Sequence, residues 1–371
     1  MNQLELSNRI ADKLIENADL SDLNLDGYDF SACKIVNVVF ANEAQEERTL
    51  RNINFKNAII ENVSFDNATL ENCDFDGAKT NIKSVSFKRC SLIKCRFRNT
   101  RISWSDFRYT EISSATFEGA KLSFCDFYRA FLVGVIIFRK SKIENCSLYY
   151  TYFDEGATIR KDNLVKGKIL QQDKEAYRKF LIEWNLYGTG VRKNEQNRLS
   201  DWSPDVSLNA RYADAEDIYK TLNGLWMSKG YLGDANWAYV KGKKMERKRM
   251  IADLTNEELA VTDKLKNIIM ITWNYMSDAM FGYGESMRKM ILTYMIMVIL
   301  FAYFYYASPE VSIVSYAQAI GVSFKNMVAM TSDQVSGVSP FIDFLNMIQT
   351  TIGILITGIF GFILGNKIRN Q

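Results

Sequence analysis

From Leu20 onward a Leu, Ile or Phe returns at every fifth residue: Leu20, Leu25, Phe30, Ile35 and Phe40. The rhythm resumes at Leu50 and passes through Phe55, Ile60, Phe65, Leu70 and Phe75. It then runs from Ile82 to Leu132 and, after a last slip, through Phe138, Ile143, Leu148 and Phe153. A helix repeats every ~3.6 residues and a strand every ~2. Period five fits neither; it requires a backbone that turns one corner per repeat. Two residues before the apolar position lies a small or compact one, such as Ala58, Ala68, Cys73, Cys95 or Ala115, and all six cysteines fall in this register. Cysteine therefore reads as a small buried hydrophobe rather than as a disulfide partner or metal ligand.

The segments Asn67-Ala68-Thr69-Leu70-Glu71 and Asn72-Cys73-Asp74-Phe75-Asp76 resemble the pentapeptide-repeat family, with its A(D/N)LXX motif, and the likeness covers roughly residues 16–159. The resemblance implies a right-handed quadrilateral β-helix with four repeats per coil. Phe alternates with Leu or Ile, so within that shape Phe lines two opposite faces and aliphatics the other two. About seven coils at the ~4.8 Å spacing of stacked strands give a rod about 30–35 Å long. The interruptions at 41–49, 76–81 and 133–137 are expected as protruding loops or distorted corners.

The 371 residues carry a net charge of +3 and no histidine. Without histidine the commonest general base, the Ser-His and Cys-His pairs and the commonest metal ligand are all absent. No phosphate-binding glycine loop or paired-cysteine zinc motif is present either. We therefore expect no enzyme, no catalytic residue, no cofactor and no metal. Charge is polarised along the rod: residues 1–76 hold 15 acidic and 6 basic side chains, residues 77–142 hold 4 and 14. That polarity fits a cytosolic protein or anionic ligand on the solenoid, contact between opposite rod ends, or simply a solvated exterior. Nucleic acid is a poor fit as a partner. The free, core-type cysteines suit a reducing cytosol, and the N-terminal residues lack the pattern of a signal peptide.

Residues 160–255 read as a helical linker and hairpin domain, with a helix over 173–187, a loop over 189–212, and two helices beginning near Asp214 and Gly233. The pair resembles a tetratricopeptide-type hairpin, and an ordinary helical hairpin fits as well. It ends in a cationic run, Lys241, Lys243, Lys244, Arg247, Lys248 and Arg249, suited to anionic lipid or to solvent. Residues 256–288 read as a juxtamembrane amphipathic helix, broken by Gly282-Tyr283-Gly284.

Residues 289–371 hold two stretches, 290–308 and 341–365, each long enough to cross a bilayer core of ~30 Å. Arg288 and Lys289 precede the first, and Lys367 and Arg369 follow the second. Both basic flanks fall on one side of a two-span hairpin. The expected location is a bacterial inner membrane with both termini cytoplasmic. Between the spans comes a helix-like segment over 315–330, then a polar loop ending at Pro340. This order resembles the two-transmembrane pore-loop channels. Aligned on Pro340, Thr331 and Ser332 match the two threonines of the TTVGYGDxxP pattern, and both filter glycines are missing. The resemblance thus implies a channel architecture without a potassium filter. Thr331, Ser332, Asp333 and Gln334 are the expected selectivity region.

On the second span Asp343, Asn346, Thr350, Gly353, Thr357 and Gly361 share a stripe about 80° wide at ~100° per residue. A polar stripe on a spanning helix faces a bundle interior or a water-filled path; these six are the expected pore-lining residues. Glycine-mediated helix packing is the competing explanation of the small ones. The expected fold is a multidomain membrane protein: an N-terminal β-helix, a helical middle, and a C-terminal two-helix transmembrane pore-loop domain. The expected function is a homotetrameric, cation-preferring and weakly selective channel for monovalent cations. The alternative is a non-conducting, membrane-anchored interaction scaffold.

Overall fold

A computed structural model describes residues 1–41, 48–186, 204–256, 259–330 and 334–369. The chain divides into two compact units, Met1–Ala252 and Asp253–Gln371.

Unit one begins with helix α1 (Gln3–Ala11), capped by the Asn2 side chain, which accepts from the Glu5 amide at 2.8 Å. Coils of short parallel strands follow. One sheet stacks Ile35, Ile60, Ile82, Ile102, Leu122 and Ile143 as successive partners. The other stacks Leu50, Leu70, Leu92, Ile112 and Leu132. Two columns of single bridges close the remaining faces, for example Ser86↔Asp106↔Asp126 and Asp74↔Arg96↔Thr116. The expected division of faces holds. Aliphatics fill the two sheets, and Phe fills the two bridge faces as columns of parallel rings, such as Phe55–Phe75 at 4.7 Å and Phe97–Phe117 at 4.9 Å. Rings of the two columns meet edge-on, Phe87 against Phe97 at 6.3 Å. All six cysteines are buried and free.

Each corner needs one residue in the left-handed region. Asn52, Asn57, Asn62, Asn67 and Asn72 take it, with φ between 54° and 59°; Asn tolerates this region better than most side chains. Trp104 and Phe124 also occupy corners, at φ 53° each. Their rings stack at 4.4 Å, and helix α2 (Lys174–Leu186) lays Tyr177, Phe180 and Trp184 beside them. Of the interruptions, residues 42–47 lie outside the described residues. The other two are corners taken by Gly77 and Gly134 with positive φ.

Helices α3 (Pro204–Ser228) and α4 (Leu232–Asp253) complete the unit. Helix α3 starts ten residues before Asp214, where a loop was expected; proline is accommodated in a first turn because its missing N–H has no helical partner there. These helices share a core with the solenoid: Ala215, Ile218, Tyr219, Leu222 and Trp226 join the cluster that contains the Phe columns. The Trp226 indole donates to the Ile159 carbonyl at 2.7 Å, and Arg160 pairs with Asp234. The cationic run of α4 is engaged within the unit, with Arg249 on Glu216 at 3.1 Å and Lys243 on Glu246 at 2.8 Å. Along the basic half of the solenoid Arg98 pairs with Asp76 at 2.6 Å and Arg108 with Asp106 at 3.0 Å.

Where α3 meets the solenoid and α2, burial pushes the Asp214 carboxyl up to about 6, between the phenols of Tyr149 and Tyr177 and beside Asp217. An ordinary carboxyl titrates near 3.8, so the folded unit takes up this proton before the unfolded chain does. The associated stability is present below the unfolded value and lost as pH rises through 6. We expect residues 1–252 to gain roughly 1–2 kcal/mol between pH 7 and pH 4 from this group, allowing for its partial exposure. Urea titrations of wild type and Asp214→Asn check this. The gap between the two should change over that pH range, and a constant gap contradicts the assignment.

Unit two holds α5 (Val261–Phe281), α6 (Met287–Ala307), α7 (Tyr316–Met327) and α8 (Pro340–Arg369). Gly282 ends α5 in the left-handed region at φ 55°. The Gly282-Tyr283-Gly284 segment is the turn into α6, braced by the Tyr283 hydroxyl on the Asn274 side chain at 2.8 Å. Ser286 and Ser315 cap α6 and α7 by accepting from Lys289 and Gln318 amides. Met287–Ala307 and Pro340–Gly365 are long and apolar enough to cross a membrane, with mean hydropathies of 1.9 and 2.0.

Candidate functional site

Helix α7 is wedged between α6 and α8, and what fastens it is polar. The Tyr305 hydroxyl of α6 donates to Gln349 Oε1 of α8 at 2.8 Å. Gln349 Nε2 donates to the Ser323 carbonyl at 3.0 Å and to Ser323 Oγ at 2.6 Å, both on α7. Ser323 Oγ in turn donates to the Val298 carbonyl of α6 at 2.8 Å. Asn326 Nδ2 adds longer contacts to Tyr305 and Gln349 at 3.4 and 3.5 Å. Tyr305, Ser323, Asn326 and Gln349 are all fully buried. One side chain, Gln349, thus links three helices through an apolar interior, where each unmade hydrogen bond is costly.

Gly353 supplies the second fastening. A Cβ there would lie 2.1 Å from the Met327 carbonyl at the end of α7. Only glycine permits this approach of backbone to backbone, so packing accounts for Gly353. Gly358, Gly361 and Gly365 have nothing within 4 Å of a built Cβ, and packing within the chain does not account for them.

The six stripe residues divide along one edge of α8. Asn346 and Gly353 are buried by the chain's own helices, Thr350 is half-buried, and Asp343, Thr357 and Gly361 are exposed. The stripe therefore marks the border between the packed interior and the open side of the unit. Asp343 has a local task as well. It accepts from the Gly337 amide at 2.7 Å, bracing a loop residue at φ 73° that glycine alone adopts cheaply. Ser339 joins the same brace through Glu310. Thr331, Ser332 and Asp333 lie outside the described residues; Gln334 is exposed. Val335 is fully buried in a cluster with Phe301, Tyr305, Val322 and Ile342, so it anchors the loop beside the polar seam.

The seam itself went unseen in the sequence. Gln349 falls outside the stripe, at about 240° from Asp343 where the stripe begins at about 280°. Its signal was a second amide one turn after Asn346 on an otherwise apolar span, matched by Asn326 on the short helix. In unit one a groove of about 510 Å³ separates the last coil from α3, lined by Tyr150, Tyr152, Asp154, Glu155, Thr221 and Ser228 among others. Its lining combines exposed tyrosines with the Asp154 and Glu155 carboxylates.

A profile of pentapeptide repeats matches residues 49–79 and 86–123 in eight copies. The N-terminal region is accordingly a β-solenoid of pentapeptide repeats, followed by a helical region with two candidate membrane helices. Among solved structures, the chain is similar to full-length QnrB1, a plasmid-mediated fluoroquinolone resistance protein, at 14% identity over 46% of this chain and 89% of that one, TM-score 0.25. It is similar to a pentapeptide repeat protein from the Arabidopsis thaliana thylakoid lumen at 17% identity over 35% and 68%, TM-score 0.17. It is also similar to Rfr23 from the cyanobacterium Cyanothece 51142 at 11% identity over 42% and 98%, TM-score 0.17. No curated protein matches the chain.

Proposed function

We propose that the chain is one subunit of a homotetrameric, cation-preferring and weakly selective channel of a bacterial inner membrane. The solenoid unit serves as its cytosolic sensor or scaffold. The observation that carries this reading is the arrangement of unit two: a short helix held by a buried polar seam between two long apolar helices. Those two helices leave most of their apolar surface uncovered, with only 33% and 24% of their most apolar windows buried. A core helix of a soluble protein would be covered. Lipid on one side and neighbouring subunits on the other complete such a surface.

In this reading α8 turns Asp343, Thr357 and Gly361 towards the shared axis, and Asp333 contributes an acidic ring at the narrow part of the path. Rings of carboxylates favour cations, and without filter glycines no backbone carbonyl ladder replaces their hydration shell. Monovalent cations then pass partly hydrated. The basic flanks Arg288, Lys289, Lys367 and Arg369, all on one side of the hairpin, support a cytoplasmic side for both termini.

Single-channel recording of the purified protein in planar bilayers tests this. Reversal potentials in sodium and potassium gradients should nearly coincide, and Asp333→Asn should lower the preference for cations over anions. A cysteine at Glu310 should react with an impermeant thiol reagent from outside cells. A strong potassium preference, or cation preference unchanged in Asp333→Asn, would refute the assigned selectivity region. Outside labelling at Glu310 without any conductance would instead favour the membrane-anchored scaffold.

A further inference from the structure

Helix α5 is amphipathic the wrong way round for a helix in water. Val261, Leu265, Ile269, Trp273 and Met276 fall within a stripe about 120° wide. They are 82%, 61%, 65%, 69% and 46% exposed. The side turned to the rest of the unit carries polar Asn274 and Asp278, beside Ile271 and the terminal Phe281. Asn274, only 7% exposed, holds the Tyr283 hydroxyl, and Asp278 accepts from Lys289 Nζ at 2.7 Å. A soluble helix buries its apolar stripe and exposes its polar face; α5 does the reverse. Lys266 and Lys264 flank the two sides of the apolar face, at about 140° and 300° from Val261, while Asp263 lies away from its centre at about 200°.

The joint to the next helix is fixed, which narrows what can cover this face. Thr293 Oγ1 of α6 donates to the Met280 carbonyl at 2.9 Å, and Lys289 holds both the Asp278 side chain and its carbonyl. The C-terminal end of α5 is therefore pinned beside the start of the first candidate span, next to Arg288 and Lys289. We propose that α5 lies in the plane of the membrane surface, its Val261–Met276 stripe sunk into the boundary between lipid headgroups and acyl chains. Lys264 and Lys266 then reach outward to anionic headgroups. Trp273 sits at the depth where indole rings are enriched. Continuity with the candidate span selects lipid over a second copy of the chain as the occupant. The proposal rests on the membrane reading of α6 and α8 given above.

The test is site-directed spin labelling of the full chain in vesicles of phosphatidylglycerol and phosphatidylcholine. The six native cysteines are buried in the solenoid, and burial raises the Cys90, Cys95 and Cys146 thiols well above their ordinary value; they compete little for the label. Single cysteines go in at Ile269, Trp273 and Asp263, with Ile296 of α6 as a bilayer reference. The ratio of oxygen access to access by a water-soluble nickel chelate should be several-fold higher at Ile269 and Trp273 than at Asp263, and should approach that at Ile296. In parallel, Trp273→Phe in the otherwise unaltered chain should remove most of the fluorescence quenching by lipids brominated near the headgroup. Nickel access at Ile269 and Trp273 equal to that at Asp263, with Ile296 still in lipid, overturns the placement of α5 alone. Low access to both reagents at Ile269 and Trp273 puts a second copy on the face and overturns it too. Nickel access at Ile296 as well overturns the membrane reading together with it.

Discussion

Phe97→Ala should destabilise the solenoid unit by about 3–5 kcal/mol. Phe97 is fully buried, with Phe75 stacked on one side at 4.8 Å and Phe117 on the other at 4.9 Å. Phe87 meets it edge-on from the facing column. Truncation removes a ring that touches the coil above, the coil below and the opposite wall, and hydrogen-bonded coils on both sides keep the gap from collapsing. Because each coil is stabilised by its neighbours, the damage spreads along the rod. Urea unfolding of residues 1–252 followed by circular dichroism checks it: the midpoint should fall sharply with little change in slope. A loss below about 1 kcal/mol would mean that the column is not the close-packed core described here.

Gln349→Leu should loosen the second unit by about 2–3 kcal/mol, a large effect for one exchange of similar volume. The side chain accepts from Tyr305 and donates twice to Ser323. Leucine would leave the buried Tyr305 hydroxyl on α6 without its acceptor and remove both donations to Ser323 on α7. The second exchange tells this from simple misfit. Tyr305→Phe removes the stranded hydroxyl, so the double variant should be less destabilised than the two single effects summed. Thermal unfolding in detergent measures all four forms. Strict additivity would show that Tyr305 and Gln349 do not act together.

Five-residue periodicity placed the apolar core and the buried cysteines, and the resemblance to pentapeptide repeats supplied the four-sided coil that sorts Phe and aliphatics onto separate faces. The left-handed corners were also written there, as Asn52, Asn57, Asn62, Asn67 and Asn72, yet the apolar rhythm drew attention from them. The helical middle was harder to read. Polar residues around Pro204 resemble a loop, and helix α3 owes its place to tertiary contacts such as Trp226 on Ile159, which no local pattern contains. On α8 the stripe was visible but its division was not. That Gly353 is covered depends on where Met327 of another helix ends. The role of Gln349 was hidden for the same reason, since its partners are 26 and 44 residues away.

The two ends of the rod have a consequence for how copies of this chain meet. A stack of parallel strands is open at both ends, and an unfinished rung would recruit the first rung of another molecule and grow into a fibre. Here the outer rung at the start gives its Glu16 carbonyl to the Arg9 guanidinium at 2.8 Å, while Leu6 of α1 plugs the core. At the far end, Asn163 takes the Phe138 and Ser141 carbonyls, Trp226 takes that of Ile159 and Lys229 that of Ala157. Both ends are stoppered by side chains of the same molecule. Among the described residues, the rung carbonyls at these points are taken by side chains of the same chain, which opposes head-to-tail growth through them.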